Sequence, residues 1–583
     1  MKTKSKSLIL LTLVVLWLAP ILTLSAAPLR PARHKHAIVV SVHELASEAG
    51  VEILKAGGNA VDAAVATGFA LAVVHPQAGN IGGGGFMLVR FADKGDVHFV
   101  DYREKAPAAA RENMYLDAQG NVIKDASTIG YKAIGVPGSV AGLVYAQKKW
   151  GKLPLTKVMA PAIKLAKLGF KLAYEDAEDF TDKNLTKFPE SKRIFQRNGK
   201  FYQPGDIFVQ PQLAKTLVAI AANPDTFYHG PLAKQLVAVM RKHGGLITLK
   251  DLAAYEVKER EPVHGTYKGY DVYSAPPPSS GGIALIETLN ILEGFDLEKL
   301  GNRSAASIHL TSEAYRRAMY DRADFLGDPD FAKIPVAQLI DKKYADAWRE
   351  SIDPKKASVS RELQRPAGKF NELDRVGASM RWPDAGIREP ENTTHYSVVD
   401  AAGNAVSVTT TLNDSFGSRV TADGLGFLLN DEMDDFASKQ GVPNAYGLIQ
   451  GPANAIAPEK RPLSAMTPTI VLNNGKLFLV LGSPGGPRII TTVGNILMGV
   501  VDYNMDIQQS VNAPRFHHQW LPDSIRMESN GFSPDTIKQL SDMGHKLDFG
   551  KYWSDGECIM IDPKSGERLG ASDGRNNGKA VGY

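Results

Sequence analysis

The chain of 583 residues contains a single cysteine, Cys558. No intrachain disulfide can form, and a metal site built on thiolates is excluded. After residue 26 no stretch reaches the ~18 consecutive apolar residues of a membrane span, which predicts a soluble mature chain. An excess of one charge is missing too. The formal net charge is +4, and three of those charges are Lys2, Lys4 and Lys6 in a segment read below as removable. No basic footprint for nucleic acid remains. Glycine (54) and proline (34) make up about 15% of the chain, below the ~25–30% of disordered or low-complexity sequences. There is no internal repeat. What is there is an ordinary globular composition, 44% hydrophobic and 22% charged, with length for about four domain-sized units.

Several motifs of common hydrolases and nucleotide binders are also absent. There is no His-Glu-x-x-His for a zinc protease. There is no Gly-x-Ser-x-Gly elbow; Gly482-Ser483-Pro484-Gly485-Gly486 resembles one only in composition, and Pro484 argues against a strand–Ser–helix turn. Gly82 to Gly85 lead into the strand-like run Phe86–Phe91 and are not followed by Lys-Ser/Thr, so they read as close backbone packing and not as a phosphate loop. His517 and His518 are adjacent and would point to opposite faces of a strand, which suits packing better than metal ligation. Glu432, Asp434 and Asp435 form an acidic cluster that, alone, would be a solvated turn.

The first residues read as an address. Lys2, Lys4 and Lys6 precede an apolar run from Leu8 to Leu24, and Ser25, Ala26 and Ala27 follow. This is the secretory layout, with cleavage expected around Ala26 and a periplasmic or secreted product. Residues 43–75 predict two helices, the first ending at Gly57-Gly58 and the second capped by Asn59. The middle, to about residue 340, alternates helical patterns with turns. Residues 341–392 are charged, broken by prolines and without periodicity, and read as a linker or functional segment. From Thr393 the pattern turns to strands. Thr394–Asp400 and Asn404–Thr411 flank Ala401-Ala402-Gly403, a three-residue hairpin loop with glycine last. Pairing Asp400 with Asn404 places Thr393 opposite Thr411, two hydroxyls side by side at a strand start.

Asn392-Thr393-Thr394-His395-Tyr396-Ser397 resembles the processing site of the γ-glutamyltranspeptidase (γ-glutamyltransferase) family. Companion motifs occur in the family order: Asp101-Tyr102-Arg103-Glu104, Leu429–Phe436, Lys460–Ser464 and Gly482–Gly486. The resemblance runs from about residue 35 to Tyr583. It implies an α+β fold, the αββα sandwich of N-terminal nucleophile hydrolases, assembled from two subunits cut from one precursor. The signal would be 1–26, the large subunit 27–392 and the small, catalytic subunit 393–583. The cut would be self-catalysed by attack of the Thr393 hydroxyl on the Asn392 carbonyl. The chemistry has an independent rationale. A Thr hydroxyl needs a base within reach, and cutting before Thr393 creates an α-amine, with a reference pKa near 8, on the same residue.

The resemblance also implies the remaining roles. A γ-glutamyl donor presents an α-carboxylate, for which Arg103 and Ser464 match the family's cation and hydroxyl; Ala465 stands where many members carry a second serine. The donor's α-ammonium matches Glu432 and Asp435, with Asn413 nearby. Gly485 and Gly486 would supply oxyanion amides unobstructed by side chains, and Thr411 would orient Thr393. Gly441–Gly451, with Tyr446 at its centre, matches a lid over the bound glutamyl group. The implied substrates are glutathione and related γ-glutamyl compounds as donors, with water, amino acids or dipeptides as acceptors. No metal or organic cofactor is implied. Two rivals are a cephalosporin or glutaryl acylase of the same fold and an exported γ-glutamyl-binding protein without turnover. Arg103 with Glu432 and Asp435 argues against the acylase, whose acyl groups lack an α-ammonium. The processing site and Gly485-Gly486 argue against a simple binder.

Overall fold

A computed structural model describes residues 29–366 and 393–583. The predicted signal segment and Asn392 lie outside the described residues. From Pro31 onward the described chain packs as one unit, not four, because strands from distant parts of the sequence interleave in shared sheets. One seven-stranded sheet runs, in spatial order, Lys579–Gly582, Ile38–Ser41, Thr393–Val399, Ala405–Thr411, Gly84–Arg90, Val97–Asp101 and Lys258–Arg260. The second runs Ala32–His34, Arg568–Ala571, Cys558–Ile561, Lys476–Leu481, Thr469–Asn473, Tyr270–Ser274 and Val263–Tyr267.

Alternation along the strands builds four layers. In the first sheet Val39, Met87, Val89, Tyr396, Val398, Val406 and Val408 pack against helices that include Glu44–Lys55, Ala60–Val74 and Ser139–Trp150. The alternate residues Ile38, Val40, Phe86, Leu88 and Phe99 belong to a second buried cluster, shared with residues of the second sheet such as Val471 and Leu479. Helices Gly281–Leu292, Ala305–Phe325 and Arg488–Val501 cover the outer side. The order is helix, sheet, sheet, helix.

Local signals translate directly. Asn59 caps Ala60–Val74 in a reciprocal capping box with Asp62. The 82–85 glycines are a close-packing device: a Cβ on Gly83 would lie 2.0 Å from the Thr411 carbonyl oxygen, and one on Gly84 2.5 Å from a Glu104 carboxylate oxygen. The hairpin register pairs Thr393 with Thr411 and Val399 with Ala405. Two expectations are corrected. Residues 341–392 are not all irregular, since Lys342–Glu350 is a helix burying Tyr344, Ala345 and Trp348. One apolar stripe suffices to dock it, although its other faces are charged. The region after Thr393 is not strands alone, for it contains the fourteen-residue helix Arg488–Val501.

Candidate active site

Thr393 is the first residue of its strand, and its side chain shares the inter-sheet face with His395 and Ser397. Its Oγ1 donates to Thr411 Oγ1 at 3.2 Å, and the Asn413 amide donates to the same Thr411 oxygen at 2.8 Å. Thr411 thus holds both the hydroxyl of Thr393 and the start of the next loop. His395 is not a base for this hydroxyl. Its ring nitrogens contact Thr409 Oγ1 and Ser397 Oγ, and burial drives its pKa down to about 3.

The second sheet delivers the glycine pair. Strand Lys476–Leu481 ends, Gly482 to Gly486 turn, and helix Arg488–Val501 begins. The segment is a strand–turn–helix with a long turn, and it is not the tight serine elbow that Pro484 argued against. Ser483 is fully buried and donates its hydroxyl to the Pro484 carbonyl, so it presents no nucleophile. Gly485 and Gly486 have φ of +122° and +56°, values that L side chains rarely adopt. A Cβ on Gly485 would lie 2.1 Å from Ser554 Oγ, and one on Gly486 2.5 Å from the Tyr446 ring. Both precede the N-terminus of a helix, where backbone amides and the helix dipole favour developing negative charge.

One cavity gathers the predicted residues. Arg103, Thr393, Thr411, Asn413, Glu432, Asp435, Tyr446, Ser464, Ala465 and Gly486 all line it, whereas Gly485 sits one residue behind the wall. Arg103 is fully buried, with one guanidinium nitrogen bonded to Glu432 and the other to Asp435, and its Nε donates to the Pro462 carbonyl at 3.2 Å. The predicted carboxylate clamp and the predicted ammonium acceptors are therefore paired with one another here. Burial works against the charge of Arg103, but Glu432, Asp435 and Glu104 outweigh it and hold the guanidinium above its usual value. Burial likewise raises Glu432 well above the ordinary carboxyl range, against the pull of Arg103. Glu104, 3.7 Å from Arg103, is pushed up to about 7 by burial. Ser464 Oγ accepts from the Met466 amide, and Ala465 contributes only a methyl group.

The segment expected to act as a lid, Gly441–Gly451, is packed down on the protein. Tyr446, Leu448 and Ile449 are buried against Ala318, Met319, Ala323 and Ile490. The Tyr446 hydroxyl donates to the Asn413 carbonyl at 2.8 Å, and Asp434 accepts from Ser127 Oγ and from the Ala445 amide. The acidic cluster is not a solvated turn, for Glu432 and Asp434 are buried.

Two cavity features escaped the sequence reading. Arg322, from helix Ala305–Phe325, lines the wall, and Ser280 stands behind it. The local pattern does not single Arg322 out, because Arg316 and Arg317 on the same helix are equally buried and ion-paired. As for metals, His309, Glu313 and His545 are the one group among the described residues close enough to share an ion. Their atoms are already committed: His545 to His309, His309 to the Asp353 carbonyl, and Glu313 to Arg317. His517 and His518 are both buried in packing contacts with Thr491, Gln519 and Trp520.

A family model described as gamma-glutamyltranspeptidase matches residues 46–583. A glutathione hydrolase proenzyme of Escherichia coli (strain K12) is 50% identical over 550 residues, spanning 94% of this chain and 91% of that protein. Another, from Pseudomonas sp. (strain A14), is 49% identical over 571 residues, 96% of each. A solved cephalosporin acylase from Bacillus halodurans superposes with a TM-score of 0.81 at 26% identity, covering 97% of this chain and 99% of that one. The four layers are the αββα sandwich of N-terminal nucleophile hydrolases, common to both activities, so fold alone does not separate them. Sequence does: with the family model covering residues 46–583, the chain belongs to the gamma-glutamyltranspeptidase family.

Proposed function

We propose that the cavity beside Thr393 takes a γ-glutamyl donor and that Thr393 is the residue acylated. The activity is γ-glutamyl transfer and hydrolysis by a threonine nucleophile that self-cleavage releases, acting on glutathione and related compounds. One observation carries the site assignment: the Thr393–Thr411 hydroxyl pair opens onto the cavity that holds a buried Arg103 beside two carboxylates.

Maturation begins with Thr393 Oγ1 attacking the Asn392 carbonyl carbon. The peptide C–N bond breaks, the Thr393 nitrogen takes the proton, and an ester forms. Water hydrolyses that ester, leaving a carboxylate on Asn392 and a free α-amine on Thr393. In turnover the amine accepts the hydroxyl proton as Oγ1 attacks the γ-carbonyl of the donor. Amides at Gly485 and Gly486 receive the oxyanion. The amine then gives its proton to the departing amine, leaving a γ-glutamyl ester on Thr393. Water completes hydrolysis; an acceptor amine completes transfer. Arg103 and Ser464 face the donor α-carboxylate, Glu432, Asp435 and Asn413 its ammonium, and Tyr446 keeps the lid over it.

The mature pieces would be a large subunit 27–392 and a small subunit 393–583, a heterodimer from one precursor. The leader pattern of residues 1–26 supports an extracytoplasmic location, in the periplasm or the medium. No helix among the described residues is long and apolar enough to cross a membrane. The test is p-nitroaniline release from γ-glutamyl-p-nitroanilide with and without glycylglycine, beside glutaryl-p-nitroanilide, which differs only in lacking the α-ammonium group. Faster release from the γ-glutamyl donor, stimulated by glycylglycine, is expected. Preference for the glutaryl donor would favour the acylase reading.

A further inference from the structure

Arg322 differs from every other cation at the cavity. Its helix, Ala305–Phe325, carries two other buried arginines, and both are ion-paired: Arg316 with Asp523, and Arg317 with Glu313 of the same helix. Arg322 has no carboxylate within ion-pair distance among the described residues. Its Nε donates to Ser280 Oγ at 2.9 Å, and Ser280 Oγ in turn donates to the Ser464 carbonyl at 2.6 Å. Its Nη1 is buried without a hydrogen-bond partner. Burial pulls its pKa down to about 10, Asp435 opposing, so the group still carries its charge at neutral pH. A buried cation without a paired anion is costly and is retained where something uses it.

Its position says what that is. Arg322 lines the cavity together with Ser464, Ala465 and Asp435. Arg103, by contrast, has both terminal nitrogens engaged by Glu432 and Asp435. With Arg322 included, the wall holds two guanidinium groups and two partner carboxylates, a balance that suits a zwitterion with one carboxylate and one ammonium. Ala465 supplies no hydroxyl on the same wall. We propose that Arg322 is a second binding residue for the donor α-carboxylate, its Nη1 making the contact that Ala465 cannot. The Ser280 hydroxyl is a positioning group: it ties Arg322 to the Ser464 backbone, so the guanidinium and the serine move as one wall. This inference rests on the γ-glutamyl reading above.

The test compares two donors that differ only in the α-carboxylate, γ-glutamyl-p-nitroanilide and 4-aminobutanoyl-p-nitroanilide. In Arg322→Met, which keeps length but not charge, the ratio of kcat/KM for the first donor over the second should fall on the order of 10- to 100-fold, the size of one hydrogen bond to a charged group. Arg322→Lys should give an intermediate ratio, since charge survives without the fork. If Arg322→Met does not yield processed enzyme, the Arg322→Lys ratio decides, and several-fold loss is required. Adding Ala465→Ser to either variant should restore part of the ratio. A ratio equal to that of the parent enzyme, or equal losses for both donors, overturns the assignment and leaves Arg322 a wall support. Absence of release from the γ-glutamyl donor by the parent enzyme would instead sink the reading on which the inference rests.

Discussion

Replacing Thr411 by valine removes one oxygen and keeps the β-branched shape that suits its strand. That oxygen accepts hydrogen bonds from Thr393 Oγ1 at 3.2 Å and from the Asn413 amide at 2.8 Å. The Asn413 N–H is buried beneath the lid, so losing its acceptor costs ~1–3 kcal/mol. Thr393 simultaneously loses the group that aims its hydroxyl. If that loss is felt in the transition state, kcat should drop about 5- to 150-fold. Maturation should slow as well, because the same hydroxyl performs it. Thr411→Ser keeps the oxygen and should remain within a few-fold of the parent. The assay pairs initial rates on γ-glutamyl-p-nitroanilide with the time course of subunit appearance on a denaturing gel. Thr411→Val with parental kcat and parental maturation would refute the assignment of Thr411 as the residue that orients Thr393.

Arg103→Lys keeps the charge but cannot hold Glu432 and Asp435 with a planar fork; donor KM should rise at least tenfold with a smaller effect on maturation, and an unchanged KM would remove Arg103 from the clamp. Gly486→Ala places a methyl 2.5 Å from the Tyr446 ring at a φ of +56°; kcat should fall and the lid should become more sensitive to limited proteolysis, whereas a parental rate would count against the oxyanion role. Glu104 titrates near 7 because burial raises it. A carboxyl raised on folding binds its proton more tightly in the native state, so its contribution to stability declines as pH rises from the ordinary carboxyl range through about 7. Glu104→Gln removes that decline, and its Tm relative to the parent should become more favourable between about pH 5 and pH 8; a flat difference would contradict the buried-carboxyl account.

Where short-range rules act, the sequence was legible. Counting across a three-residue loop placed Thr393 opposite Thr411, and that is the register. Asn59 followed by Asp62 announced a capped helix, and the helix begins at Ala60. The glycine run at 82–85 read as close packing, and a Cβ there collides with backbone or a buried carboxylate. What stayed hidden depends on distant chain. Arg322 resembles Arg316 and Arg317 in local pattern, and only its three-dimensional neighbours leave its Nη1 unpaired. The pairing of Arg103 with Glu432 and Asp435 joins residues more than three hundred positions apart. Helix Lys342–Glu350 was masked by charge, since three buried residues on one stripe are a weak signal among lysines, arginines and acids. Pro484 read against a serine elbow, and Ser483 is indeed buried, although a longer turn still leads from the strand to the helix that starts at Arg488.

The central claim is that one hydroxyl, that of Thr393, both cuts the chain and carries the acyl group. Intact-mass and N-terminal analysis of the purified protein tests it most directly, on the parent and on Thr393→Ala. The account predicts two chains from the parent, the smaller running from Thr393 to Tyr583, and a single uncut, inactive chain from the variant. A parent that remains one chain while releasing p-nitroaniline, or a Thr393→Ala protein that still separates into two chains at this bond, would contradict it.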